Sequence, residues 1–231
     1  MKRDTILTLR LPTEKGPQEY AVREPRRFEK PKKPFTRIAF AAAHVVADPL
    51  SAKEPWLEQA IDWDATIAYR RHLWSWGFGV AEAMDTAQRG MGLDWTNSLE
   101  LIRRSIQASD GNVVASGAGT DHLAAGKTYS IPEIIAAYEE QIAAIEKLGG
   151  RIILMASRAL AAAAKSPDDY GKVYDRILSQ VKQPVVSHWL GEMSDPALAG
   201  YWGKKDHLAA MDICLGVIEK NKTKVDGIKV S

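Results

Sequence analysis

The sequence predicts an α/β fold in which short apolar strands alternate with longer helical segments. Six segments rich in Val, Ile or Ala are the predicted strands, and they span residues 37–43, 79–84, 112–116, 151–156, 184–189 and 226–230. Their first residues are about 33 to 42 positions apart, as expected when one helix and two loops follow each strand. The same order of elements therefore recurs along the chain from residue 36 onward.

Five segments between these strands have helical spacing, and they span residues 64–76, 95–107, 131–148, 167–181 and 207–219. Ser130 and Glu133 form a predicted capping box at the start of the third helix. Gly77, Gly149 and Gly150 mark helix ends. The alanine-rich segment 159–164 is expected to form a helical turn that packs closely on the sheet.

Repeated βα units are compatible with an open doubly wound sheet or a closed eight-stranded barrel. A doubly wound dinucleotide-binding fold would place a Gly-x-Gly-x-x-Gly loop after the first strand, and this sequence has only the fragment Gly117-Ala118-Gly119 after the third. The TIM (β/α)8-type barrel is therefore favoured. A full barrel takes about 250 residues and eight strands, so we expect only the first six βα units here. A longer natural chain is favoured over closure of the gap by another chain.

Residues 1–35 differ from the barrel segment 36–231. Two short alternating runs, 5–11 and 18–22, flank the turn-like sequence Glu14-Lys15-Gly16-Pro17, which predicts a β-hairpin. Residues 23–35 are basic and proline-rich, and a solvated, stiff connector is the favoured interpretation over a nucleic-acid arm. We therefore expect an N-terminal hairpin and linker that precede the barrel.

The composition restricts the classes of partner. The 231 residues are 45% hydrophobic, and 31 Lys+Arg against 29 Asp+Glu leave a net charge of +2, too small to hold nucleic acid or an anionic membrane by charge alone. Cys214 is the only cysteine, so one chain cannot build a disulfide framework, and we expect this thiol to be buried and inert. Without a continuous apolar signal segment, the prediction is a cytoplasmic protein with a small-molecule partner.

Active-site residues of a β/α barrel lie at the carboxyl ends of its strands and in the loops that follow them. Twelve polar residues occupy these positions in the sequence: His44, Glu82, Asp85, Thr86, Asp121, His122, Ser157, Arg158, His188, Glu192, Lys229 and Ser231.

Lys229 is the candidate nucleophile, because strand alternation places it on the face opposite Ile228 and Val230, toward the barrel interior. A water-poor interior disfavours the ammonium form and lowers the lysine pKa toward a nucleophilic amine that forms a Schiff base. His188 or Ser187 on the preceding strand would relay the protons. The alternative is a lysine that extends to solvent or pairs with Asp226.

Several segments occur in the order found in one enzyme superfamily: 61–64 (Ile-Asp-Trp-Asp), 76–80 (Trp-Gly-Phe-Gly-Val), 112–117, 147–154, 184–186 and 227–229 (Gly-Ile-Lys). From residue 37 onward the chain resembles the dihydrodipicolinate synthase and N-acetylneuraminate lyase superfamily. The resemblance implies a TIM barrel and a homo-oligomer, with no cofactor. It also implies that Lys229 forms a Schiff base with a 2-oxo acid, usually pyruvate, in aldol cleavage or condensation.

The sequence departs from that superfamily at the substrate loop. The family's Gly-Thr-Thr-Gly-Glu signature after the second strand is replaced by residues 84–89, Met-Asp-Thr-Ala-Gln-Arg, in which only Thr86 retains a hydroxyl. Asp85 would repel a substrate carboxylate unless Arg89 offsets its charge. His188 stands where the family has its tyrosine relay, and the arginine that follows that tyrosine is not found in residues 190–193. A polyol-like or sugar-derived carbonyl substrate is therefore an alternative to pyruvate.

These observations predict a Schiff-base-forming lyase of the class I aldolase type that acts on a 2-oxo acid or a sugar-derived carbonyl compound. The predicted catalytic residues are Lys229 and His188, and the predicted substrate contacts are Asp85, Thr86, Arg89, Ser187 and Trp189. Two alternatives remain open, a barrel enzyme dependent on a divalent metal and a non-catalytic scaffold. The candidate metal ligands would be His44, Glu82, Asp85, Asp121, His122, His188 and Glu192.

Overall fold

The structure is a computed structural model that describes residues 7–23, 26, 28–33, 35–54, 57–85 and 88–230. The chain divides into two compact units, residues 1–33 and 34–231. The smaller unit contains the predicted hairpin, in which β1 (Thr8–Leu11) pairs antiparallel with β2 (Gln18–Ala21). Gly16 closes the connecting turn with a φ of +95°, a conformation that favours glycine.

The larger unit is a parallel six-stranded sheet with helices between successive strands. The strands are β3 (Phe40–Ala41), β4 (Gly79–Glu82), β5 (Val114–Ala118), β6 (Arg151–Leu154), β7 (Val185–Trp189) and β8 (Val225–Val230). The helices are α1 (Trp63–Ser75), α2 (Trp95–Ala108), α3 (Ile131–Lys147), α4 (Arg158–Ala163), α5 (Pro167–Gln180) and α6 (His207–Lys220). In the described ranges, none of these helices combines the length and the apolar character needed to cross a membrane.

Each strand of this sheet lies beside the strand that precedes it in the chain, in the order β3-β4-β5-β6-β7-β8. A doubly wound sheet reverses its strand order at a switch point, and the described strands contain no such reversal. The sheet is curled, and it corresponds to six strands of a TIM-like barrel. The first of these strands is shorter than the predicted 37–43, because only Phe40 and Ala41 pair with β4.

Local capping signals fix the helix starts. At α3 the Ser130 hydroxyl accepts from the Glu133 backbone N–H while the Glu133 carboxylate accepts from Ser130, which confirms the predicted capping box. The alanine-rich segment forms α4, and the Ser157 side chain caps it by accepting from the backbone of Leu160.

Cys214 is buried in α6 as expected, and its burial raises the pKa of the thiol to about 11.

The sheet has two faces with different neighbours. Its outer face packs on the helices in the main hydrophobic core, which includes Val185 of β7. Its inner face carries a smaller apolar cluster that contains Ala115 and Ile153 together with Val186. Because side chains alternate along a strand, His188 lies on the inner face with Val186, whereas Ser187 lies on the outer face with Val185.

Candidate functional site

His188 and Lys229 are directly paired residues on neighbouring parallel strands, so their side chains project from the same face of the sheet. The Lys229 Nζ atom lies 2.8 Å from the His188 Nε2 atom. The His188 side chain is fully buried and Lys229 is partly buried. Burial lowers the pKa of the Lys229 ammonium, and the negative charge of Asp85 acts in the opposite direction.

Asp85 contacts the other nitrogen of the same imidazole. Its Oδ2 atom lies 3.1 Å from His188 Nδ1, and its side chain is 18% exposed. The imidazole therefore stands between a carboxylate and an amine. In this arrangement Nε2 is the imidazole nitrogen that faces the Lys229 amine.

The loop that carries Asp85 is held by Gln88 and Gly90. The Gln88 side chain accepts from the Met84 backbone N–H at 2.5 Å and donates to Glu82 Oε1 at 3.0 Å. A Cβ atom at Gly90 would lie 2.7 Å from the backbone oxygen of Asp85. Glycine is therefore required at position 90 for this course of the loop.

Glu82 anchors the beginning of that loop from the outer face of the sheet. Its carboxylate accepts from Arg70 Nε at 3.0 Å and from an Arg70 terminal nitrogen at 2.8 Å, and both side chains are fully buried. The Ser105 hydroxyl donates to the same carboxylate at 2.5 Å. The Glu82 carboxylate thus joins β4 to helices α1 and α2, and it does not face His188. Arg70 was absent from the predicted site because an arginine within a helical segment resembles a solvated residue in sequence.

Arg89 does not face outward as a ligand for a substrate carboxylate. Its Nε donates to Asp121 Oδ2 at 2.8 Å, and its other nitrogens donate to the Gly117 carbonyl at 2.8 Å and to Gln141 Oε1 at 2.7 Å. Only 1% of the Arg89 side chain is exposed, and burial lowers the pKa of the guanidinium against the favourable charge of Asp121. Arg89 therefore neutralises Asp121 and joins the loop after β4 to the end of β5.

Two other predicted substrate contacts, Ser187 and Trp189, do not lie on the inner face. Ser187 is buried on the outer face. The Trp189 ring lies 6.2 Å from the Trp202 ring and packs against the core between sheet and helices. Thr86 lies outside the described residues. The described residues that meet are thus Asp85, His188 and Lys229.

Several of the candidate metal ligands are bound to other side chains. Glu82 binds Arg70, Asp121 binds Arg89, and His122 Nδ1 lies 2.7 Å from the Gln141 amide nitrogen. Among the residues that the structure describes, no three His, Cys, Asp or Glu side chains form a group able to hold a metal ion.

A cavity of about 620 Å³ adjoins this site. Its lining begins at Asp85 and continues through the loops that follow β5, β6 and β7, including Thr120, Ala156 and Leu190. The Thr120 and Ser157 hydroxyls meet at 2.6 Å beside it. Asp85 therefore both lines this cavity and contacts His188. A second cavity, of about 580 Å³, lies against the loop after β3.

The comparisons with solved structures agree with the barrel order of the strands. A 4-hydroxy-tetrahydrodipicolinate synthase from Methylacidiphilum fumariolicum SolV matches with a TM-score of 0.57 at 16% identity, over 83% of this chain and 52% of its own. The dihydrodipicolinate synthase from Agrobacterium tumefaciens strain C58 matches with a TM-score of 0.56 at 15% identity, over 84% of this chain and 58% of its own. That of Acinetobacter baumannii, solved with pyruvate, gives 0.56 at 13% identity, over 84% and 55%.

These likenesses establish the fold, since identities this low carry no more than the fold. The chain spans a little over half the length of the solved structures that it matches. None of the curated proteins matches the sequence. A family model does match, over residues 9–231, and its description is "Protein of unknown function (DUF993)". Because this match covers nearly all of the sequence, the chain belongs to the DUF993 family.

Proposed function

We propose that this protein is a Schiff-base-forming lyase of the aldolase type, with Lys229 as the amine nucleophile and His188 as the acid and base. The observation that carries the proposal is the 2.8 Å contact between Lys229 Nζ and His188 Nε2 on the inner face of the sheet. An amine beside a proton acceptor at a strand end is the arrangement that imine chemistry requires.

The first requirement is a neutral amine. Partial burial of Lys229 disfavours the ammonium form and lowers its pKa. A larger fraction of Lys229 is therefore the neutral amine near neutral pH. The charge of Asp85 limits this effect, yet the pKa remains below the ordinary lysine value. The lowered pKa therefore favours nucleophilic attack by Lys229.

In the proposed reaction the Lys229 nitrogen attacks the substrate carbonyl carbon, and the electron pair of the C=O bond moves to oxygen. His188 takes the proton that the nitrogen loses and delivers it to that oxygen, which gives a carbinolamine. His188, protonated again from solvent, gives a second proton to the carbinolamine hydroxyl, which leaves as water while the nitrogen lone pair forms the C=N bond. In the cleavage direction the iminium accepts the electron pair of the Cα–Cβ bond, and the β-hydroxyl loses its proton to His188 and becomes the carbonyl group of the released fragment. The resulting enamine takes that proton at Cα, and water hydrolyses the product imine to restore Lys229.

Asp85 has a separate part in this scheme. Its carboxylate, 3.1 Å from His188 Nδ1, holds the ring with Nε2 toward the amine. It also stabilises the imidazolium that forms during proton transfer, as a carboxylate behind a catalytic histidine does in other enzymes. Asp85 is thus a positioning residue in the proposal rather than a substrate contact.

The substrate in this proposal is a 2-oxo acid or a sugar-derived carbonyl compound. The fold shared with synthases, one of them solved with pyruvate, supports carbonyl chemistry at the strand ends. The engagement of Arg89 with Asp121 leaves that arginine poorly placed for a substrate carboxylate. A carbonyl compound without a carboxylate next to the carbonyl group is therefore the favoured member of the class.

The test is covalent trapping. The longest available gene product containing these residues is treated with sodium borohydride and a panel of 2-oxo acids and sugar-derived carbonyl compounds, and the modified lysine is mapped by mass spectrometry. We expect a reduced adduct on Lys229 that is lost in Lys229→Ala and kept in Lys172→Ala, which removes an exposed lysine of α5. Adduct formation that persists with a chelator present would separate imine chemistry from the metal-dependent alternative. A folded protein that forms no Lys229 adduct with any compound would overturn the proposal.

A further inference from the structure

The cavity beside Asp85 is large enough to hold more than a three-carbon carbonyl compound. Its volume of about 620 Å³ lies within the range of small-molecule sites, about 300 to 1,000 Å³. The Asp85 residue lines the cavity and also contacts His188. A ligand that occupies the cavity therefore extends away from the proposed reaction centre. The cavity would hold the part of a substrate that lies away from its carbonyl group.

Small and apolar side chains provide most of the cavity surface. Helix α4 contributes Ala159 and Ala162, and the segment after β7 contributes Leu190 and Leu198. Alanines at these positions leave empty the space that a larger helix residue would fill. The alanine-rich segment thus contributes small side chains to the cavity lining.

The two arginines that line the cavity are each paired with an aspartate. Arg89 is buried and binds Asp121 through two nitrogens. Arg158 Nε donates to Asp195 Oδ2 at 2.5 Å. Burying a new anion beside either pair would compete with a carboxylate that already holds the arginine.

Two of the cations that line the cavity are exposed to water. The Arg158 side chain is 60% exposed, and Lys127 lies in the exposed loop after β5. Exposed charges of this kind contribute little to binding energy, since water and salt screen them. The energetic contribution of the cavity is therefore expected from its apolar surface.

We propose that this cavity binds an uncharged, apolar extension of the carbonyl substrate, on the order of four to six carbons long. The inference rests on the proposed function, in which the carbonyl end of the same molecule reaches Lys229. Ala162 is the specificity-determining residue, because it is exposed to the cavity and has the smallest side chain that a helix favours.

The first experiment compares three aldehydes as trapping probes: propanal, hexanal and 6-oxohexanoate. The concentration that gives half-maximal borohydride trapping on Lys229 is measured for each. Burial of three additional methylene groups predicts half-maximal trapping at about 50-fold lower concentration for hexanal than for propanal. The carboxylate of 6-oxohexanoate should remove most of that advantage.

Two variants test whether the preference for hexanal over propanal arises in the cavity. Ala162→Leu fills the space and should reduce the ratio of propanal to hexanal half-saturation toward one. Ala143→Leu is the matched control, since Ala143 is an exposed alanine of α3 outside the cavity lining. This control should keep the wild-type ratio.

Non-covalent binding separates this inference from the imine chemistry. Ligand-observed NMR with 1-hexanol is recorded on Lys229→Ala, which has no amine to react, and on the same protein with Ala162→Leu added. We expect binding in the first and at least about fivefold weaker binding in the second. If no aldehyde labels Lys229 and hexanol still binds, the proposed function fails and the apolar cavity stands. Equal trapping of propanal and hexanal, or a preference for 6-oxohexanoate that Arg158→Ala abolishes, would overturn the cavity inference.

Discussion

His188 and Lys229 are register partners on β7 and β8, and the 2.8 Å between Nε2 and Nζ joins an imidazole to an amine on the inner face of the sheet. Parallel strands that pair directly at these residues hold the two Cα atoms at a fixed separation. The distance between the two nitrogens then depends only on the side-chain torsion angles of His188 and Lys229. A contact that depends on strand pairing is held more precisely than one between two loops.

The imidazole should determine the rate of imine formation. In His188→Gln, Lys229 keeps its position on β8 but loses the proton acceptor, so we expect trapping on Lys229 to be slower by about 10² to 10⁴. Single-turnover trapping kinetics measure this rate. His207→Gln, which changes an exposed histidine at the start of α6, is the control and should trap at the wild-type rate. A His188 variant as fast as wild type would exclude this residue as the acid and base.

The pH dependence of trapping should respond to Asp85. Imine formation needs the neutral amine, so its rate rises as pH rises through the pKa of Lys229, which burial sets below the ordinary lysine value. The carboxylate of Asp85 raises that pKa, so its removal in Asp85→Asn should lower the pKa further and move the rising limb to lower pH. The maximum rate should also fall, because His188 loses its partner. The pH–rate profile of borohydride trapping measures both effects.

Asp226→Asn provides the comparison for the pH experiment. Asp226 is exposed on β8, and its carboxylate binds Arg151 at 2.7 Å rather than Lys229. The rising limb of this variant should coincide with that of wild type. A limb that moves to higher pH in Asp85→Asn would contradict the assigned sign of the Asp85 effect.

The buried pair of Arg70 and Glu82 should be essential for stability. Arg70→Leu leaves the Glu82 carboxylate buried without its cation, which costs about 3 to 5 kcal/mol of unfolding free energy. Urea denaturation measures this loss. Arg103→Leu removes a surface partner of Glu100 and should cost no more than about 1 kcal/mol. Combining Arg70→Leu with Glu82→Leu should recover part of the loss, and a single Arg70 variant as stable as wild type would show that Glu82 finds another partner.

Gly90 should be needed for the position of Asp85. In Gly90→Ala the new methyl group would lie 2.7 Å from the Asp85 backbone oxygen, so the loop has to shift. We expect a stability loss of about 1 to 3 kcal/mol and slower trapping on Lys229. Gly171→Ala in α5 has open space around the added methyl group and should stabilise the protein by about 0.5 to 1 kcal/mol. Equal effects of the two substitutions would contradict the close contact at Gly90.

The order of elements was predictable because it depends on local signals. Hydrophobic periodicity located the six strands of the barrel segment, and the Ser130 capping box located the start of α3. The first strand was predicted too long because only Phe40 and Ala41 find partners on β4. Pairing with a neighbour decides where a strand ends, and a short apolar run alone does not contain that information.

The sequence by itself determined that Lys229 alternates with Ile228 and Val230, since a strand has a period of two residues. Only the tertiary structure decided which neighbours share its face. It placed His188 there and Ser187 on the outer face, it brought Asp85 to the same imidazole, and it engaged Arg89 with Asp121. These contacts join residues far apart in the chain. Strand register and packing of the helices set the distances between them, so no local pattern specifies which charges meet.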